Sequence, residues 1–454
     1  MKNKLLFIGP LLALLLLAVL LGKGWESAPA ITAAVTLLCA IWWIFEPIPI
    51  PFTSMLPLAL FPLFGILTPN QVAQSYGSPL ILLLLGGFMI SKAMAESGAH
   101  RRIALFMVNL FGGGNARALV MGFMTASALL SMWISNTATT LMLLPVALAV
   151  LENTQRRLAV PLLLGIAYAA SIGGIGTPIG TPPNLIFMQV YANEFGATPT
   201  FPEWMKWGLP VVIIMVPLAG LWLTRGLKLD RPVILPPTGR WQAAEIRVMS
   251  LFALTAVMWV TRQAPFGGWS EWLGLPQAND ASVALIAVII MAVTPNGKGE
   301  RLLRWEAART IPWGVLLLFG GGICIANGFM QSGLADQIAS HLDMLSRIPV
   351  WLMILSLCLV VTFMTEVTSN TATASLLMPL LAAASVAMDI NPMLLMIPAA
   401  MSASCAFMLP VATAPNAVIY GSGKVSIKEM ARAGLVLNLM GAVVISLVSY
   451  WLLT

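Results

Sequence analysis

The residues able to do chemistry in this 454-residue chain are few, neutral and duplicated. Ser135-Asn136-Thr137-Ala138-Thr139 recurs letter for letter as Ser369-Asn370-Thr371-Ala372-Thr373, 234 positions later. Thr181-Pro182-Pro183-Asn184 recurs as Thr413-Ala414-Pro415-Asn416, 232 positions later. Hydroxyl and amide groups donate hydrogen bonds to an anion and offer oxygen ligands to a hard cation. A lone Ser-Asn-Thr in a membrane helix is more often local hydrogen bonding or helix packing than a site, but a duplicated motif at a duplicated helix break points to function. No Lys or Arg lies at any of these motifs. An anion bound there must be held by neutral donors, helix dipoles and accompanying cations, which predicts ion-coupled anion transport. Two matching polar half-sites suit a substrate with an anionic group at each end.

Two acids lie at or near membrane depth. Glu366 sits three residues before Ser369 and is open to three readings: tuning a cation site, carrying a proton, or being paired structurally. Glu46 precedes Pro47-Ile48-Pro49-Ile50-Pro51 and reads as an interfacial, structural residue. His100 and His341 read as surface histidines beside charged residues, and Gly112-Gly113-Gly114 as a linker, since no Lys-Ser/Thr follows it. Cys39, Cys324, Cys358 and Cys405 sit singly in apolar runs without metal-ligand spacing and read as small core residues.

The elements that must position these motifs follow from composition. The chain is 59% hydrophobic and only 9% charged, with mean hydropathy +0.90. That excludes a soluble multidomain enzyme and a disordered chain. The apolar runs are long and continuous, unlike the alternating strands of a membrane barrel. The fold class expected is an all-α polytopic membrane protein. Simple spans are expected near 5–21, 30–45, 52–67, 79–95, 205–224, 247–262, 281–294, 312–330 and 433–453. The start, Met1-Lys2-Asn3-Lys4 before Leu5–Leu21, is expected to be a retained first span, since the apolar run exceeds a signal peptide's h-region.

Two further regions, 118–150 and 350–386, are apolar but interrupted by the Ser-Asn-Thr motifs. Their limbs of about 13–17 residues reach only ~20–25 Å at 1.5 Å per residue, short of the ~30 Å hydrocarbon core. They are expected to be re-entrant hairpins with polar tips. Regions 160–192 and 391–420 are broken by Gly173–Asn184 and Pro410–Asn416, so each is expected to be a discontinuous helix. Leu82–Gly87 also matches Leu316–Gly321 at an offset of 234, making the repeat collinear. The organisation expected is an extra span at 1–24, a first repeat at 25–225, a cytoplasmic linker at 226–246 and a second repeat at 247–454.

With the N-terminus cytoplasmic and both hairpins re-entrant, the chain makes about eleven crossings and ends outside. Of the 24 Lys and Arg, all but Lys23, Lys206, Arg262 and Arg347 then fall on the cytoplasmic side. The net charge of +7 therefore reflects inner loops rather than nucleic-acid binding. Five crossings per half invert the second repeat relative to the first and bring the tips and breaks together near the midplane, the inverted-repeat logic of secondary transporters.

The duplicated Ser-Asn-Thr, the Thr-Pro-Pro-Asn break and Glu46-Pro47-Ile48-Pro49 resemble the divalent anion/sodium symporter family over essentially the whole chain. The stretch Ala403–Ile419 is similar to that family's signature, with Ile419 where valine is usual and Ala414 where the first half has Pro182. The resemblance implies sodium-coupled import of C4-dicarboxylates such as succinate, fumarate and malate. It also implies a homodimer of scaffold and transport domains working by an elevator motion; the short loops and the lack of an Asn-x-Ser/Thr acceptor suit a bacterial inner membrane. By motif, the substrate would meet Ser135, Asn136, Thr137, Thr181, Ser369, Asn370, Thr371 and Thr413. One sodium ion would be held by Ser131, Ser135, Asn136 and the Gly180 backbone, the other by Thr365, Thr368, Asn370 and the Ala412 backbone. Sulfate or citrate as substrate, or sodium-independent exchange, are the rivals within the same fold. A channel is a more distant rival. An intramembrane enzyme lacks a nucleophile–base set, and no organic cofactor is expected.

Overall fold

The computed structural model of the protein describes residues 2–99, 102–103, 105–106, 115–152, 156–227, 240–263, 267–334, 337 and 349–454. His100, His341, Gly112–Gly114, Arg347 and residues 228–239 of the linker lie outside the described residues. The described residues are helical, with only an isolated bridge between Pro295 and Arg301. Eight helices among them are long and apolar enough to cross a membrane, including Ser27–Phe45, Phe201–Leu223, Trp313–Ser332 and Ile427–Leu453. The first, Lys2–Gly22, leaves Phe7, Leu11, Leu14 and Leu15 largely exposed. A continuous apolar surface of that kind needs lipid around it. Gly9 lets this helix approach Ser27–Phe45, because a Cβ there would lie 2.5 Å from the Trp42 indole nitrogen.

One expected span differs. Residues 52–67 are not one helix but two short ones, Ile50–Thr53 and Leu56–Leu63. Prolines at 51, 57 and 62 withhold backbone donors and crowd the preceding turn, which keeps the segment from running as one rod. The 14-residue helix Asp280–Val293 is about 21 Å long, shorter than the hydrocarbon core.

The polar motifs fall at helix ends. Ala116–Ser131 and Asn136–Glu152 form one helical pair around the turn 132–135, and Val350–Thr365 and Asn370–Ala387 form another around 366–369. Ala159–Gly174 and Pro182–Phe195 are the limbs of the first interrupted helix, Met393–Ser402 and Ala414–Gly421 those of the second. The packing interlocks the halves. Ala159–Gly174 lies on Ala116–Ser131, and Met393–Ser402 lies on Val350–Thr365. Each second limb crosses to the other half: Pro182–Phe195 packs on Asn370–Ala387, and Ala414–Gly421 packs on Asn136–Glu152. This exchange carries both tips and both breaks to one place.

Candidate substrate and cation site

Each hairpin tip is tied by the same bond. The Ser131 hydroxyl donates to Asn136 Oδ1 at 2.7 Å, and the Thr365 hydroxyl donates to Asn370 Oδ1 at 2.8 Å. Each break is tied by an asparagine. Asn184 Nδ2 donates to the carbonyls of Gly174 and Thr177 at 2.9 and 2.8 Å. Asn416 Nδ2 donates to those of Ala406 and Leu409, both at 3.0 Å. The two sets of partners are related by the same offset of 232 that relates the motifs. Both asparagines are fully buried, and Oδ1 of each has no hydrogen-bond partner. Buried acceptors without donors are uncommon, and an oxygen in that condition suits a hard cation.

The first break closes more tightly than the second. A Cβ on Gly180 would lie 2.4 Å from the Gly174 carbonyl oxygen, so only glycine lets the loop fold back there. Residues 175–181 suffice for the first break, whereas the second needs 403–413.

The second break is held by Glu366. Its Oε1 accepts from the backbone N–H groups of Phe407 and Met408 at 2.7 and 2.9 Å, and from Asn438 Nδ2 at 2.7 Å. Its Oε2 accepts from the Leu409 N–H at 3.0 Å. Of the three readings open from the sequence, structural pairing is the one these contacts display. The first half has Met132 at the equivalent position. There the Thr177 hydroxyl donates to the Met132 carbonyl and Trp204 Nε1 donates to Ile175 O at 2.8 Å, both neutral bonds.

The tips and breaks open on a cavity of about 690 Å³. Ser135, Asn136, Thr137, Thr181, Ser369, Asn370, Thr371 and Thr413 all line it. Of the remaining cation candidates, Gly180, Thr368 and Ala412 line it as well, while Ser131 and Thr365 lie behind the tips on their asparagines. Four helices begin at this wall: Asn136–Glu152, Pro182–Phe195, Asn370–Ala387 and Ala414–Gly421. Ser135, Thr181, Ser369 and Thr413 immediately precede them. Helix starts present partial positive charge and, except at Pro182, Pro183 and Pro415, backbone donors, the requirement of an anion. The partner limbs end on the flanks, at Ser131, Gly174, Thr365 and Ser402, where carbonyl ends favour cations. Among the described lining residues, Glu46 is the one with a charged side chain. The described lining thus offers an anion no cationic side chain.

Residues 40–395 match the citrate transporter family. The sodium-dependent dicarboxylate transporter SdcS of Staphylococcus aureus strain MRSA252 is 40% identical over 474 residues, covering 99% of this chain and 90% of that protein. The chain belongs to the citrate transporter family. Its other curated relatives include SdcS of Staphylococcus saprophyticus, 38% identical over 473 residues, covering 98% of this chain and 90% of that protein. Among solved structures, the Alcanivorax borkumensis YdaH transporter superposes with TM-score 0.60 at 16% identity, covering 87% of this chain and 88% of that one. Neisseria gonorrhoeae MtrF superposes with TM-score 0.57 at 14% identity, covering 86% and 83%. At those identities the likeness is one of fold. This family member is a multi-pass membrane transporter, as its resemblance to divalent anion/sodium symporters implies.

Sequence reasoning missed part of its cavity. Trp133, Ile179, Val367 and Val411 supply apolar wall beside the tips and breaks, and Leu84, Phe88 and Val315 supply it from two further helices. Each is an apolar residue in a chain that is 59% hydrophobic, so its type and spacing carry no signal. Glu46, expected only at an interface, reaches the cavity because it takes a left-handed conformation (φ 46°) at the end of Ser27–Phe45.

Proposed function

We propose that the chain is a sodium-coupled symporter that imports C4-dicarboxylates such as succinate, fumarate and malate. The observation that carries this reading is the convergence of four helix N-termini on one cavity whose lining, among the described residues, holds no Lys or Arg. Two pairs of N-termini, one pair from each half, suit a dianion with separated carboxylates. Ser135, Asn136, Thr137 and Thr181 would meet one carboxylate, and Ser369, Asn370, Thr371 and Thr413 the other. Sodium ions beside them would supply the missing positive charge: one among Ser131, Ser135, Asn136 and the Gly180 carbonyl, the other among Thr365, Thr368, Asn370 and the Ala412 carbonyl. The unpartnered Oδ1 atoms of Asn184 and Asn416 support cation sites at both breaks. Relatives named sodium-dependent dicarboxylate transporters support the pairing of ion and substrate.

In this reading the hairpins and interrupted helices move as one body against the remaining helices, an elevator within each subunit of a homodimer in the bacterial inner membrane. The N-terminus is cytoplasmic, the C-terminus is external, and two inverted repeats at 25–225 and 247–454 flank the linker 226–246. The family's description favours citrate as the second substrate reading.

Thermal-shift measurements in detergent, with succinate, fumarate, malate, citrate and sulfate in Na⁺ or in choline, test both. The proposal expects stabilisation by the dicarboxylates in Na⁺ alone. Stabilisation by citrate or sulfate only, or equal stabilisation in choline, contradicts it.

A further inference from the structure

The two halves match at their tips and breaks but differ in charge. Glu366 stands at the turn of the second hairpin, buried, next to Thr365, whose hydroxyl donates to Asn370 Oδ1 and to the Ala403 carbonyl at 3.0 Å. The carboxylate accepts from three consecutive backbone N–H groups of the second break and from Asn438. None of these donors is a cation, so hydrogen bonds stabilise the negative charge without cancelling it. The same residue passes the contact on: the Leu409 N–H meets Glu366, and the Leu409 carbonyl accepts from Asn416 Nδ2 and from the Ala412 N–H at 3.2 Å. The first half has no counterpart, since Met132 occupies the matching position and its break is held by neutral bonds.

We infer that Glu366 makes the two cation sites unequal: its fixed negative charge makes the site at the second hairpin and break the tighter one, which fills at lower Na⁺. This rests on the sodium-symport reading above and assigns Glu366 as a positioning residue acting through the ligands of that site. At the effective dielectric of protein interiors, a unit charge within about 10 Å of a cation changes its affinity by at least about tenfold.

The test is a Na⁺ titration of the purified full-length chain without substrate, at constant ionic strength in choline, read as thermal stabilisation. Uptake into proteoliposomes at varied Na⁺ is read alongside it. Glu366→Gln keeps an oxygen for the Phe407 and Met408 donors but removes the charge. It is expected to raise the half-saturating Na⁺ at least about tenfold, with the substrate KM at saturating Na⁺ unchanged. Glu366→Asp keeps the charge, and Asn438→Leu removes the Asn438 bonds to Glu366 and to the Phe407 N–H while leaving the charge. Both are expected to stay close to the parent in Na⁺ requirement. An unchanged Na⁺ requirement in Glu366→Gln, or an equal shift in Asn438→Leu, overturns the inference.

Should Glu366→Gln fail to fold, the comparison of Thr365→Val with Ser131→Ala decides. Stabilisation at low Na⁺ should vanish in Thr365→Val and persist in Ser131→Ala, and the reverse order overturns the inference. A parent chain indifferent to Na⁺ removes the symport reading and this inference together. A Na⁺-responsive parent with an unshifted Glu366→Gln removes the inference alone.

Discussion

At Asn136 the amide oxygen is occupied by the Ser131 hydroxyl while the residue lines the cavity, and Asn370 repeats the arrangement with Thr365. Removing the Asn136 side chain strands the Ser131 hydroxyl, a loss of about 1–3 kcal/mol for a buried group left unpaired, whereas Thr365 keeps the Ala403 carbonyl when Asn370 is truncated; either change deletes a polar contact to the cavity. Asn136→Ala and Asn370→Ala are each expected to reduce substrate uptake by at least about tenfold in proteoliposomes, and full activity in either would remove the tips from the site. Ala414 differs from its counterpart Pro182 in keeping a backbone N–H at the first position of its helix. Thr413 is extended (φ −140°, ψ 152°), so proline at 414 meets no backbone conflict. Ala414→Pro is expected to fold normally and to raise the half-saturating substrate concentration about fivefold, the worth of one neutral hydrogen bond. Uptake kinetics at saturating Na⁺ check this.

The hairpins and interrupted helices were legible in the sequence because each interruption carries its own signal. Ser-Asn-Thr sits amid apolar residues too few on either side to span, and Gly and Pro cluster where the second pair breaks. The structure sets the turns at 132–135 and 366–369, so the serine of each motif closes the turn and its Asn and Thr open the following helix. The segment 52–67 was misleading because it is apolar enough to span, and composition alone does not show how its prolines divide it. The tightness of the first break was not legible either, since glycine there signals freedom and only the fold shows contact. Gly180→Ala would place a methyl group 2.4 Å from the Gly174 carbonyl oxygen. It is expected to abolish transport and lower the melting temperature. Gly22→Ala, with open space around the added carbon, should leave both unchanged. Uptake and thermal melts of the two variants provide the comparison.

Across the whole molecule, the duplicated motifs meet because each interrupted helix begins on its own hairpin and ends on the other. Collinear repeats foretold that the motifs form a pair. They did not foretell the exchange of limbs, which is a matter of packing between segments far apart in sequence. Nor did they foretell the role of Glu366, whose partners are backbone groups invisible to side-chain patterns. The scarcity of charge has become specific. A chain with 24 basic residues brings none of the described ones to the lining of its central cavity, so in the symport reading a bound dianion depends on its co-ions. Uptake of labelled succinate into proteoliposomes, driven by an inward Na⁺ gradient and compared with K⁺ or choline at equal ionic strength, tests that dependence most directly. Concentrative uptake in Na⁺ and none above background in K⁺ or choline is the predicted result, and equal uptake in all three would contradict the account.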